Sequence, residues 1–358
     1  MLLAYICRSF YTIAAVSAIF FEAFPDFRST FIHYGKVKLT SESAPEVEPE
    51  TKEGSKSTTK RSLETKPQKE IKKNNVSSSL LKVFDITVSK NKFTYFYIIG
   101  TMVSSLLLQQ LLKLENANSG ELYEVEPPFI DFWKFLECKY SPLKAQYTSV
   151  LSSNNISLCD PFVDPLFKVS IYILGLYTIH LFLRMYETTL LQPFSPAKIH
   201  VGHFITGIIF YILTPFAVFV DGIYKNGNPP SSNTVVLLLS STLFFYSVYK
   251  RYKLHCILYE LKKSTVCASA AKKGEIELYN IPTGEWFNLI SSPHYLAEIL
   301  MYFSLFVMAG GNSVTFMTLL FWVVTNLTIS AIETHKWYKQ KFGSKYPSQR
   351  YAIFPYIC

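Results

Sequence analysis

A chain of 358 residues with 49% hydrophobic and 16% aromatic side chains, and a mean hydropathy of +0.18, is too apolar for an ordinary soluble domain. Its formal net charge is +9, but the 35 Lys and Arg residues gather between apolar runs, so the charge reads as membrane topology and not as a nucleic-acid surface. The six cysteines form no CxxC and share no metal spacing with histidine, which argues against a zinc site.

Apolar runs at 2–24, 93–112, 166–183, 201–220, 235–249, 295–308 and 314–332 predict an all-α integral membrane protein with about seven transmembrane helices. Most approach the roughly 20 residues that cross a bilayer, whereas the fifth and sixth must extend into their flanks. Arg8 interrupts the first run and no small-x-small site precedes Glu22, so a retained helix is expected and not a cleaved signal. Residues 41–79 are rich in Ser, Glu, Lys, Pro and Thr with almost no large apolar side chains, which predicts a disordered cytosolic insertion. The organisation expected is a first helix and its flank (1–40), the insertion (41–79), a second helix with a lumenal loop (80–165), and a C-terminal unit (166–358). In that loop Cys138 and Cys159 could pair, and Asn155-Ile-Ser157 is a glycan sequon.

Seven helices divide the intervening segments between two sides. Segments 28–92, 184–202, 250–286 and 333–358 carry 28 Lys and Arg, against 5 on the other side. This asymmetry places the C-terminal tail in the cytosol.

Three constellations could carry chemistry. His180, Arg184 and Glu187 stand at i, i+4 and i+7 on one face at the end of the third run. A cationic stretch follows the fifth run, read as a loop and carrying His255, Lys262 and Tyr279. The stretch Ile281-Pro-Thr-Gly-Glu-Trp-Phe-Asn-Leu-Ile-Ser-Ser-Pro-His-Tyr-Leu-Ala-Glu298 ends in a helix start, with Ser292 as N-cap and Pro293 at N1. From there His294 and Glu298 share a helical face. An ionisable group at that depth is costly and usually faces a protein-lined cavity with a partner.

The wording of 281–298 resembles the steroid 5α-reductase family, above all its polyprenol (polyprenal) reductase branch. Phe31-Ile-His-Tyr-Gly-Lys36 and Phe84-Asp-Ile-Thr-Val-Ser-Lys-Asn-Lys-Phe-Thr-Tyr-Phe-Tyr97 are similar to stretches of that branch, as is the ending with His335, Tyr338, Tyr346-Pro347, Arg350 and Phe354-Pro355. The resemblance implies NADPH as cofactor, held by Arg184, His255, Lys262, Tyr279, His294, Glu298, His335 and Tyr338. Lys262 stands where the family has an arginine, Leu181 where it has a substrate-facing tyrosine, and Ser330 where it has a further arginine. The absence of G-x-G-x-x-G argues against a Rossmann domain, so a cofactor would sit among membrane helices.

The resemblance implies hydride transfer to the β-carbon of a C=C bond conjugated to a carbonyl. Polyprenal offers that electron sink; an isolated allylic alcohol such as polyprenol does not. The expected setting is the endoplasmic reticulum membrane, with a polyprenal or polyprenol lipid as partner and no metal or nucleic acid. The family's Gln-Glu pair on the second helix is missing, and Tyr95 aligns best as a replacement donor, with Glu298 as the second catalytic candidate. Two other readings stay open: an enoyl-CoA or steroid reductase of the same fold, and a non-enzymatic scaffold or lipid transporter, which should not bind NADPH. A glycosylation reporter fused after Cys358 is expected to stay unmodified, and a glycosylated reporter would reverse the predicted orientation.

Overall fold

The computed structural model describes residues 2–23, 86–118, 165–191, 198–223, 234–271 and 280–357. The expected insertion at 41–79, the Asn155 sequon, Cys138, Cys159 and Tyr279 lie outside them. Seven long helices occupy the described residues: α1 (Leu2–Ala23), α2 (Thr94–Asn118), α3 (Pro165–Tyr186), α4 (Val201–Ile223), α5 (Thr234–Ala271), α6 (Pro293–Met308) and α7 (Val314–Phe342). Five of the described helical stretches are long and apolar enough to cross a membrane; α6 is apolar but shorter. The protein is thus an all-α multi-pass membrane protein. A short antiparallel pair is added that periodicity could not reveal: β1 (Thr87–Ser89) on β2 (Lys198–His200).

The helix starts follow local chemistry. Ser313 caps α7 by accepting from the Phe316 N–H, as the apolar run after Gly310 and Gly311 requires. Ser292 and Pro293 take the N-cap and N1 positions of α6 as expected, yet the Ser292 hydroxyl makes no capping bond. The segment before α6 is fixed instead by the C-terminal tail: the Ser291 N–H donates to the Tyr351 carbonyl at 2.8 Å, and the Tyr351 N–H to that of Leu289 at 2.9 Å. Arg350 reaches the Pro282 carbonyl at 2.9 Å. Gly284, with φ of 89°, makes the turn that presents Glu285 to α5. There Lys250 and Lys253 both donate to its carboxylate and hold it below the usual carboxylate range.

The cationic stretch 250–271 is helical and not the loop expected. It contains neither Pro nor Gly and is rich in Lys, Leu and Ala, so nothing stops α5 after its apolar run.

In a bilayer the lipid is as apolar as leucine, so helices are held by close packing and by polar contacts. The central core joins Cys7 and Tyr11 of α1, Leu107 of α2, Tyr177 and Leu181 of α3, Leu305 of α6 and Leu319 of α7. Cross-helix polar contacts accompany it: Arg8 to Thr315 at 3.0 Å, Tyr11 with Thr214 at 3.3 Å, Ser104 with Thr178 at 2.6 Å and Tyr172 to Ser241 at 3.0 Å. Outward faces carry Ile13, Met102, Leu238 and Phe245 toward lipid. Glu22 at the end of α1 lies 3.6 Å from Lys336 near the end of α7, so those two ends share one side of the bundle.

At one position α2 and α4 approach so closely that only glycine fits. A Cβ on Gly207 would stand 2.7 Å from the Phe96 ring. That ring is wedged against Phe93, Phe204 and Tyr211, at centroid distances of 5.0, 5.0 and 5.9 Å. Gly207→Ala is therefore expected to lower stability by about 1–3 kcal/mol through overpacking. Thermal denaturation of the purified protein in detergent checks this, and Phe96→Leu in the same chain should recover much of the loss.

Candidate functional site

The end of α3, the middle of α5 and the start of α6 meet in a largely buried cluster of charge. Arg184 and Glu187 of the α3 end form a close ion pair. Arg251 of α5 donates to Glu187 at 3.3 Å and to Glu298 of α6 at 3.2 Å, and also contacts the His180 ring. His180 lies 3.7 Å from Glu298. Two guanidinium groups face two carboxylates, so the cluster is balanced, as burial demands. Arg251 is 1% exposed, although it sits in a run of basic residues.

A π-helical turn, Glu187–Leu191, follows α3 and turns Glu187 inward. The carbonyls it loosens are taken up by Thr188, which bonds the Arg184 carbonyl at 2.9 Å, and Thr189, which bonds that of Met185 at 2.7 Å. Such turns recur at functional sites.

Beside the cluster a cavity of about 340 Å³ opens between α2, α4, α6 and α7. Glu298, Tyr97, Tyr211 and His203 line its polar part, and Phe93, Phe96, Phe210, Trp322 and Leu327 its apolar part. The Glu298 side chain is 17% exposed, so one side of the carboxylate is gripped by Arg251 and His180 while the other faces the cavity.

The remaining expected residues fall into groups. Arg184 and Glu298 are joined through Glu187 and Arg251. His255 stacks on Tyr259, with its ring 5.2 Å from that of His294 at the start of α6. Lys262 follows His255 by two turns along α5 and is partly buried. His335 and Tyr338 belong to a second cluster at the end of α7: the His335 ring meets the Ser291 hydroxyl at 2.5 Å, and Tyr338 stacks on Tyr346 at 5.4 Å. That cluster adjoins the cavity wall at Ser330, Glu333 and Thr334. Tyr95 is not brought to the cavity. It is 52% exposed on the outer side of α2, because a residue two positions from Tyr97 is rotated by about 200° on a helix.

Sequence reasoning passed over Tyr97, two residues from the tyrosine it favoured, and Arg251. Tyr97 is 8% exposed, lines the cavity and accepts a hydrogen bond from Arg184 at 3.0 Å. The available signal was the Tyr-x-Tyr register against the apolar face of α2. For Arg251 no signal separates it from Lys250 and Lys253.

The charge cluster and the aromatic cavity beside it form the candidate site of this multi-pass membrane protein. Residues 197–358 match the 3-oxo-5-alpha-steroid 4-dehydrogenase family. Polyprenal reductase 2 of Arabidopsis thaliana is 30% identical over 314 residues, covering 76% of this chain and 82% of that protein. Polyprenal reductase 1 of Oryza sativa subsp. indica is 28% identical over 314 residues (76% and 80%), and the polyprenal reductase of Mus musculus 28% over 288 (78% and 81%). The chain belongs to the steroid 5α-reductase family, within which it is similar to polyprenal reductases. It is an oxidoreductase acting on a CH–CH bond, which implies a nicotinamide cofactor.

Removing Arg251 would leave the buried Glu187 and the partly buried Glu298 with one guanidinium. Arg251→Met is expected to cost about 3–5 kcal/mol, the range for breaking a buried pair from one side. Denaturation midpoints in detergent check this, and Arg251→Met combined with Glu187→Gln should be more stable than Arg251→Met alone.

Proposed function

We propose that this chain reduces the α-isoprene double bond of polyprenal with NADPH, in the endoplasmic reticulum membrane with its C-terminus in the cytosol. The observation that carries this reading is a cavity with two characters, a charged end at Glu298 and aromatic walls beyond it. Its shape suits a lipid with one polar head. At pathway level the reaction takes polyprenol to dolichol, which supplies the lipid carrier of protein N-glycosylation.

The residues present fit an anionic dinucleotide. Among the buried polar atoms of the described residues that lack a hydrogen-bond partner, the Ser292 hydroxyl and His294 Nδ1 both sit where α6 begins. A helix N-terminus favours phosphate oxygens. Lys262 adds positive charge along α5. We assign cofactor binding to Arg184, His255, Lys262, Tyr279, His294, Glu298, His335 and Tyr338. When bound, the reduced nicotinamide supplies hydride. The protein orients the reactants: Arg251 and His180 hold Glu298 toward the cavity as a fixed acceptor, and the aromatic walls shape the space beyond it. Residues 166–358 form the reductase unit in this reading.

The purified protein in detergent is to be offered NADPH with polyprenal, polyprenol, a steroid enone and an enoyl-CoA. Rapid NADPH oxidation with polyprenal, yielding the saturated aldehyde, is expected. Turnover of the steroid or the thioester but never of polyprenal would overturn the substrate, and failure to bind NADPH would overturn the enzyme reading. Glu298→Ala is expected to lower kcat/KM for polyprenal by about 100-fold or more, with the protein still accumulating.

A further inference from the structure

We infer that Tyr97 is the catalytic acid that protonates the substrate's carbonyl oxygen, and that Arg184 is the group that makes it one. The inference rests on the enal reading above and deepens it.

Four observations converge on Tyr97. It lines the cavity together with Glu298, and it stands near the start of α2. Its ring is pinned edge-on against Tyr211 at 5.1 Å, and both phenols face the same space. Arg184 donates to its oxygen at 3.0 Å, with the guanidinium carbon 4.9 Å from the ring centroid. Arg184 is in turn fixed by Glu187 and cannot swing away without breaking the charge cluster.

The chemistry follows from that geometry. A phenol oxygen that accepts from a guanidinium directs its own proton away from it. Negative charge left on the oxygen is met at once by a fixed cation. That is the arrangement a general acid needs when its conjugate base would otherwise be stranded in a medium of low dielectric constant. As hydride arrives at the β-carbon, the C=C electron pair moves toward the carbonyl and charge gathers on oxygen. The Tyr97 proton passes to that oxygen, giving an enol and a phenolate paired with Arg184. The α-carbon then takes a proton from water while the enol O–H returns its proton to Tyr97. One hydride from the reduced nicotinamide and one proton from water are consumed, and the aldehyde leaves saturated.

Tyr211 and Tyr302 also line the cavity, where both phenols interact with Glu298 and with neighbouring tyrosines, Tyr211 with Tyr97 itself. The arginine contact is what distinguishes Tyr97. Tyr95, the aligned candidate, sits on the other side of the helix.

The test uses the full chain in detergent or nanodiscs. Tyr97→Phe keeps the ring and its packing but has no proton to give. It is expected to bind NADPH with unchanged affinity, read by quenching of tryptophan fluorescence. Its kcat for polyprenal should fall by about 100-fold or more, with KM little changed. The alkaline limb of the wild-type pH–rate profile should disappear in the variant. Turnover close to wild type would overturn the inference, and so would loss of NADPH binding, which would make Tyr97 a cofactor residue. If Tyr97→Phe does not fold, 3-fluorotyrosine at position 97 decides the matter, because it changes phenol acidity with almost no change in volume. A downward shift of the alkaline limb supports the inference and an unmoved limb overturns it. A wild-type protein that reduces some other conjugated carbonyl but not polyprenal would sink the substrate reading, while the Tyr97 comparison could be repeated on that compound.

Discussion

Two arginines and two glutamates, largely withdrawn from water where the end of α3 and the start of α6 meet the middle of α5, constrain everything around them. Each of these ions would cost several kcal/mol to remove from water alone. Together they are tolerable only while Arg184, Glu187, Arg251 and Glu298 stay in mutual contact. That condition fixes the depth of α3 against α5 and of α5 against α6, where apolar packing between helices in lipid would specify register weakly. It extends to α2 through the bond from Arg184 to Tyr97. The cavity wall is therefore positioned by the same contacts that balance the charge, and the site cannot loosen without exposing an unpaired ion to a low-dielectric interior.

The clamp on α6 has a second component on its outer side. The 281–290 stretch is held by the Arg350 side chain and by backbone bonds to the 351–352 segment. Glu285 is held down onto α5 by two lysines. The start of α6 thus rests between the tail and α5, which explains why the Ser292 hydroxyl is not needed as a cap. A side chain released from capping at a buried helix start is free to meet a ligand, and His294 beside it is in the same position.

The legible and illegible parts of the sequence divide along physical lines. Helix positions were readable because lipid imposes length and apolarity directly on the chain. His180, Arg184 and Glu187 were readable as one face because i, i+4 and i+7 is a local relation. Their partner Arg251 was hidden, since burial of one basic residue among three depends on which way α5 faces, and that is set by α6. The same limit explains the choice between Tyr95 and Tyr97. Both fit the sequence stretch, and only helix rotation distinguishes them. The extent of α5 was misjudged because hydropathy falls at Lys250 while helix propensity does not. The strand pair β1–β2 was invisible, since three residues carry no periodicity.

The cavity also imposes a condition on how a lipid substrate can be recognised. A chain that moves from bilayer to an apolar cavity exchanges one hydrocarbon-like setting for another, so the transfer contributes little hydrophobic free energy. Aromatic walls such as Phe93, Phe96 and Phe210 then select by shape, since their mutual stacking leaves few rotamers to adjust. Affinity and discrimination must come from the polar head, where a few fixed groups meet it in a water-poor space. The interactions strongest there are those with charge that develops during reaction and not with the resting lipid. An enzyme of this design binds its substrate loosely along the chain and tightly at one oxygen, and the neighbourhood of Tyr97, Arg184 and Glu298 is where its selectivity must lie.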